Sequence, residues 1–148
     1  MYRSVSDARE ALAVWSFEGR PSKEEWAKHI QDVEELKGWR ARGGQRAAII
    51  LAADDAARPD ARQRSEISKI LDSPHYDAYV ALVSSSALVR GVLTALRWVR
   101  SKPYYEESTH ADFDSAVAWL ERKRGGPLPV MKKLIGQTQE QKKGRSMR

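Results

Sequence analysis

The densest group of side chains able to do chemistry is Ser84-Ser85-Ser86, followed one helical turn later by Arg90. Three hydroxyls at the end of the apolar run Ala78 to Val83 would open a helix, where free backbone N–H groups favour an anion. Arg90 would bring a guanidinium to the same place. The serines serve equally well as helix caps, which is the commoner use of Ser in that position. A second group, Asp54, Asp55 and Arg58, follows another apolar run that ends at Ala53. If both runs are strands of an open α/β sheet, their carboxyl ends lie on one edge, and such sheets bind ligands there. Asp54, Asp55, Arg58, Ser84, Ser85, Ser86 and Arg90 therefore form the candidate site, for an anion, a lipid headgroup or a protein partner.

No catalytic or metal-binding constellation stands beside these residues. His29, His75 and His110 are far apart and share no metal-ligand spacing, and no HExxH, GxSxG or GxxxxGK[ST] pattern occurs. The acid pairs Asp54-Asp55, Glu34-Glu35 and Glu106-Glu107 would serve acid–base chemistry only if buried with their pKa values split. Adjacent acids on helices and loops are usually solvated. The chain has no cysteine, which removes disulfides, thiolate chemistry and sulfur-ligated metals. The expectation is a protein that is not an enzyme and carries no metal and no cofactor.

Charge is divided unevenly along the 148 residues. Residues 1–121 carry 17 Lys and Arg against 19 Asp and Glu, a balance of −2, while residues 122–148 carry nine against one, Glu140, a balance of +8. The net charge of +6 thus belongs to a C-terminal tail. Such a tail is commonly a solvated appendage, and its other use is contact with nucleic acid or an anionic membrane. No apolar run approaches the roughly 20 residues that span a bilayer. The N-terminal MYRSVSDAREA lacks the apolar centre of a secretory signal. These features predict a cytoplasmic protein.

The elements that would position the candidate site can be read in order. Tyr2 to Val5 is a short strand, and Ala11 to Glu18 a second, apolar on both faces. Ser22 and Glu25 form a capping-box pattern for a helix to about Leu36, with Trp26, Ile30, Val33 and Leu36 as its apolar stripe and Trp26 as a core anchor. Gly38 and Gly43-Gly44 loosen the connection to a strand over 45–53. A helix follows from about Asp60 to Leu71, with a basic start at Arg58, Arg62 and Arg64 that Asp54 and Asp55 would offset. Asp72-Ser73-Pro74 ends it, and the strand Ala78 to Val83 comes next. Ser85 or Ser86 caps a helix whose stripe is Val89, Val92, Leu96 and Val99, stopped at Lys102-Pro103. Tyr104 to Ser108 is a short edge strand. Asp112 or Asp114 caps a last helix carrying Phe113, Ala116, Val117 and Leu120, with Trp119 beside the stripe. Gly125-Gly126-Pro127 is a linker. Leu128, Val130, Met131, Leu134 and Ile135 form an apolar patch that docks on the domain or on a second subunit, which makes a homodimer an expectation. The chain from Gly136 onward is polar and mobile.

This predicts an α/β domain over residues 1–124, with a four- to five-stranded, mostly parallel sheet, an antiparallel first hairpin and about four helices. Residues 125–148 form the basic C-terminal tail. The order of elements resembles a family. YVALVSSS followed by ALVRGVLTALRWV, the closing FDSAVAWL with its Ala116-Val117-Ala118-Trp119-Leu120 ending, and the entry SFEGRPSKEEW are similar to the SpoIIAA-like branch of the STAS fold, over about residues 2–121. The resemblance implies a single STAS-like domain that acts by protein–protein contact. In the anti-sigma-factor antagonists of that family, phosphorylation of a serine after the central strand is the switch. The matching loop here, Asp54 to Asp60, holds no Ser or Thr, so the switch does not carry over. The leading expectation is a non-enzymatic regulatory or protein-interaction module with an unknown protein partner. The alternatives are a small-molecule or lipid-binding domain, with Trp15, Phe17 and Trp26 lining a cavity, and tail-mediated binding to nucleic acid or anionic membrane.

Overall fold

A computed structural model describes residues 1–57, 59–87, 89–90 and 104–146. Five strands form one mixed sheet: β1 (Tyr2–Asp7), β2 (Leu12–Phe17), β3 (Ala47–Ala53), β4 (Ala78–Val83) and β5 (Glu106–His110). They lie in sequence order, β1 antiparallel to β2 and the other pairs parallel. Strand alternation explains why β2 and β3 look apolar throughout. Ala13, Trp15 and Ile49 enter one core, and Leu12, Val14, Ala48 and Ile50 enter the core on the other face.

The first face is covered by α1 (Lys23–Ala41) and α2 (Ala61–Leu71), which bring Val33, Leu36, Trp39 and Ile70. The capping box of α1 forms as the sequence predicts. Ser22 Oγ accepts from the Glu25 N–H at 3.1 Å, and Glu25 Oε1 accepts from the Ser22 N–H at 2.9 Å. The helix then runs past Leu36 and through Gly38 to Ala41, because Trp39 adds another buried anchor. Its inward stripe is His29, Asp32, Val33, Leu36 and Trp39, turned away from the expected one. Trp26 is only half-buried and donates its indole N–H to Glu66 at 3.2 Å, so it is not the core anchor. A second capping box, Asp60 with Gln63, starts α2. Asp60 also lies 3.6 Å from Arg20, so the acid at this helix start is Asp60 itself.

The other face is covered by α3 (Phe113–Arg124) and α4 (Pro129–Ser146). Asp112 caps α3 by accepting from the Ser115 N–H at 2.8 Å, and Gly125 closes it in the left-handed region at φ 84°. Gly125 and Gly126 turn the chain, and Leu128 N–H donates to Glu121 at 2.9 Å. The residues after this turn are not a mobile tail. Leu128, Met131, Leu134, Ile135 and Thr138 recur at helical spacing and are buried against β1 and β2. The apolar patch at 128–135 is thus accommodated within this chain, and the helix continues through Gly136 to Ser146. β5 starts two residues later than its sequence suggests. Tyr105 is buried against Tyr76, with ring centroids 5.5 Å apart, and the ladder to β4 begins at Glu106. Val92, Leu96, Val99 and the stop at Lys102-Pro103 lie outside the described residues. No described helix is long and apolar enough to cross a membrane.

Candidate functional site

The parallel register brings the ends of β2, β3, β4 and β5 to one edge, and the loops leaving them are tied together. Both oxygens of Asp54 accept from the Gly19 N–H at 3.0 Å, and one also accepts from the Ala56 N–H at 3.1 Å. Asp54 therefore clamps the β2 loop to the β3 loop and does not stand as an unengaged charge. The Asp55 side chain and Arg58 lie outside the described residues.

Ser84 is buried and uses each of its polar groups. Its N–H donates to the His110 carbonyl at 3.0 Å, its hydroxyl accepts from the Ser86 N–H at 3.2 Å, and its carbonyl accepts from the Arg90 guanidinium at 2.7 Å. Ser86 Oγ accepts from the Val89 N–H at 3.2 Å, the contact of an N-cap. Arg90 turns back onto the strand end, as its spacing suggests, and its contact there is with protein backbone. Ser85 remains exposed. Of the seven predicted site residues, the structure brings Ser84, Ser86 and Arg90 into one hydrogen-bonded group beside Ser85. Asp54 stands on the same edge and is bonded to a different loop.

Two polar clusters lie outside the sequence-derived site. At the end of β5, His110 Nδ1 and Ser115 Oγ are 2.7 Å apart, and Trp119 covers the imidazole at 6.0 Å between ring centroids. Desolvation pulls the His110 pKa below its ordinary value, with the Arg122 charge acting in the same direction, so the ring is held neutral. His110 Nε2 is buried and has no hydrogen-bond partner among the described residues. A serine–histidine pair of this kind lacks the third, orienting group of a nucleophilic triad. It anchors the first turn of α3 to the sheet edge. The sequence signal was slight: a His and a Ser five residues apart across a strand-to-helix turn.

The second cluster is deeper. The Tyr2 hydroxyl donates to Asp32 at 2.7 Å, Lys28 Nζ reaches the other Asp32 oxygen at 2.6 Å, and His29 Nδ1 lies 3.2 Å from the Tyr2 oxygen. Rings of Tyr2, Trp15, Phe17 and Trp26 surround His29 at 4.9 to 5.4 Å. Burial lowers the His29 pKa to about 4, against the opposing pull of the Asp32 carboxylate. Burial, then the Asp32 contact, pushes the Tyr2 hydroxyl above its usual range. The imidazole is therefore neutral near pH 7, filling the core as a flat polar ring. Trp15, Phe17 and Trp26, which the sequence offered as the lining of a ligand cavity, pack around His29 in this cluster. Among the described residues no three His, Asp or Glu side chains converge to hold a metal ion. Compared with known proteins, the chain matches no family model, no curated protein and no solved structure.

Proposed function

We propose that this chain is a non-enzymatic, cytoplasmic protein-interaction or regulatory module of STAS-like type, without the phosphoserine switch, and that its partner docks on the carboxyl edge of the sheet. The observation that supports this reading most directly is the way the edge is built. Two contacts there tie different connections together, Asp54 to Gly19 and Ser84 to His110, and two more, Arg90 to Ser84 and His110 to Ser115, brace the chain just after β4 and just after β5. Cross-linked loops make a preformed surface, which lowers the ordering cost of binding a protein. The diversion of Trp15, Phe17 and Trp26 to the His29 cluster favours this reading over a lipid carrier. Burial of Leu128, Met131, Leu134 and Ile135 in the chain's own core removes the ground on which the apolar patch pointed to a homodimer.

The test is a comparative capture experiment. Ser85 is exposed on this edge, so Ser85→Arg should abolish recovery of a specific partner and leave the thermal midpoint unchanged. A Lys132→Ala, Lys133→Ala control on the outer surface of α4 should retain it. Equal recovery by wild type and Ser85→Arg rejects the docking edge. Hydrolysis of an activated ester that disappears in Ser115→Ala would reject the non-enzymatic reading.

A further inference from the structure

The opposite end of the sheet, where β2 and β3 begin, is built in another way. A hollow of about 230 Å3 lies between the β1–β2 turn and the α1–β3 connection. The buried Ala11 and Trp39 form its apolar floor, and the exposed Arg9, Arg42 and Gln45 stand around it. Nearby cations are paired with carboxylates: Arg40 and Arg46 share Asp77 at 3.0 and 2.7 Å, and Arg46 and Lys123 share Glu106. Arg9 and Arg42 form no ion pair or side-chain hydrogen bond among the described residues. Beneath the same turn, Arg124 donates to the carbonyls of Glu10, Ala11 and Arg46 at 2.9 to 3.3 Å, adding a third guanidinium, on which the Glu10 charge acts. The nearby acids are Asp7, which accepts the Glu10 N–H at 3.0 Å, and the exposed Glu10.

Arg42 also has a seat. A Cβ added at Gly38 would lie 3.0 Å from Arg42 Nη1 and 3.7 Å from its Cζ. The guanidinium thus lies against the backbone of α1 at the one position on that turn without a side chain. This position sets the cationic side chain beside the hollow.

We propose that the hollow binds a small phosphomonoester, its phosphate held between Arg9 and Arg42 and its organic group set on Ala11 and Trp39. Guanidinium forks match phosphate oxygens in pairs. The apolar floor and a volume larger than a bare phosphate needs select an ester over the inorganic ion. This site is distinct from the docking edge and does not depend on it.

Calorimetric titration of the full chain with phenyl phosphate, inorganic phosphate and benzoate at low ionic strength tests the assignment. Phenyl phosphate should bind saturably, about tenfold or more tighter than either of the others. Arg42→Ala and Arg9→Ala should each weaken it by about tenfold. Gly38→Ala, which displaces the Arg42 guanidinium without removing its charge, should weaken it several-fold while the fold is kept. The Lys132→Ala, Lys133→Ala variant should bind as wild type. Absence of saturable binding overturns the proposal, as does benzoate binding as tightly as phenyl phosphate. Undiminished binding by Arg42→Ala, or an equal loss in the lysine control, overturns it as well.

Discussion

On one face of the sheet, α1 and α2 bury His29 and Asp32 among Trp15, Val33 and Leu36, with the partly buried Tyr2 ring packed against them. On the other, α3 and α4 bury Leu120 and Met131 completely against Leu12, Val14, Ala48 and Ile50, and Thr138, a buried polar side chain of α4, bonds to its own helix at Leu134. The first face has directional contacts that fix how α1 meets β1. The second depends on area and fit, which are not directional but are large when a side chain is fully enclosed. Directional contacts carry protonation states with them, so the two faces should respond to different insults. The apolar face should be sensitive to lost volume and the mixed face to pH.

The largest effect expected is on the apolar face. Met131→Ala removes a fully buried side chain under α4 and should destabilise the protein by about 4 kcal/mol. Urea unfolding of wild type and variant measures it. A loss of only a few tenths of a kcal/mol would mean that α4 is an appendage on a domain that holds together without it, and the contrast between the faces would collapse.

The mixed face should be distinguished by acid. His29 has its pKa lowered to about 4 by burial, against an ordinary value near 6.5. The unfolded chain therefore binds a proton more readily than the folded one across that interval. Stability is fully present above about pH 6.5 and is lost as pH falls towards 4, by about 3 kcal/mol at the lower limit. The groups facing the imidazole are the Tyr2 hydroxyl and the Asp32–Lys28 pair, and of these the Asp32 charge opposes the shift. Urea midpoints at pH 7 and pH 4 in wild type and His29→Gln test the assignment. The variant should show a smaller acid loss, and an unchanged loss would move the titration to another group.

The contrast also explains what could be read from the residues alone. The continuous apolar runs of β2, β3 and β4 were legible because a strand covered on both faces needs no polar positions. The cap at Ser22 was legible, and those at Ser86 and Asp112 were legible to within one of two candidates, because a cap is a local contact between residues three apart. The inward side of α1 was not. Burial of Asp32 and His29 involves the Tyr2 hydroxyl, 27 to 30 residues away, which joins the local Lys28 contact in satisfying Asp32 and lies within hydrogen-bond distance of His29 Nδ1. The helix at 129–146 was hidden for a related reason. Its buried stripe includes Thr138, whose hydroxyl is satisfied by a backbone carbonyl one turn back, so composition alone reads as a polar tail. In the candidate site, the placement of Ser84, Ser85, Ser86 and Arg90 at one strand end followed from spacing. The pairing of His110 with Ser115 and the clamp from Asp54 to Gly19 depended on which loops the sheet brings together.

The smallest effect tests whether α1 is as tightly fitted at its far end as it is around His29. Gly38 lies inside the helix, where glycine costs about 1 kcal/mol relative to alanine. The nearest atom an added Cβ would meet is the end of the flexible Arg42 side chain at 3.0 Å, which can shift. Gly44, a few residues on, is different: a Cβ there would lie 2.8 Å from the Trp39 carbonyl oxygen, which is backbone and cannot give way cheaply. Gly38→Ala should therefore stabilise the protein by up to about 1 kcal/mol, and Gly44→Ala should destabilise it, both read from urea midpoints. A loss of stability in Gly38→Ala would show that the seat of the Arg42 guanidinium is part of the packing of α1. The mixed face would then be sensitive to volume as well as to charge, and the difference between the two faces would narrow to its protonation chemistry.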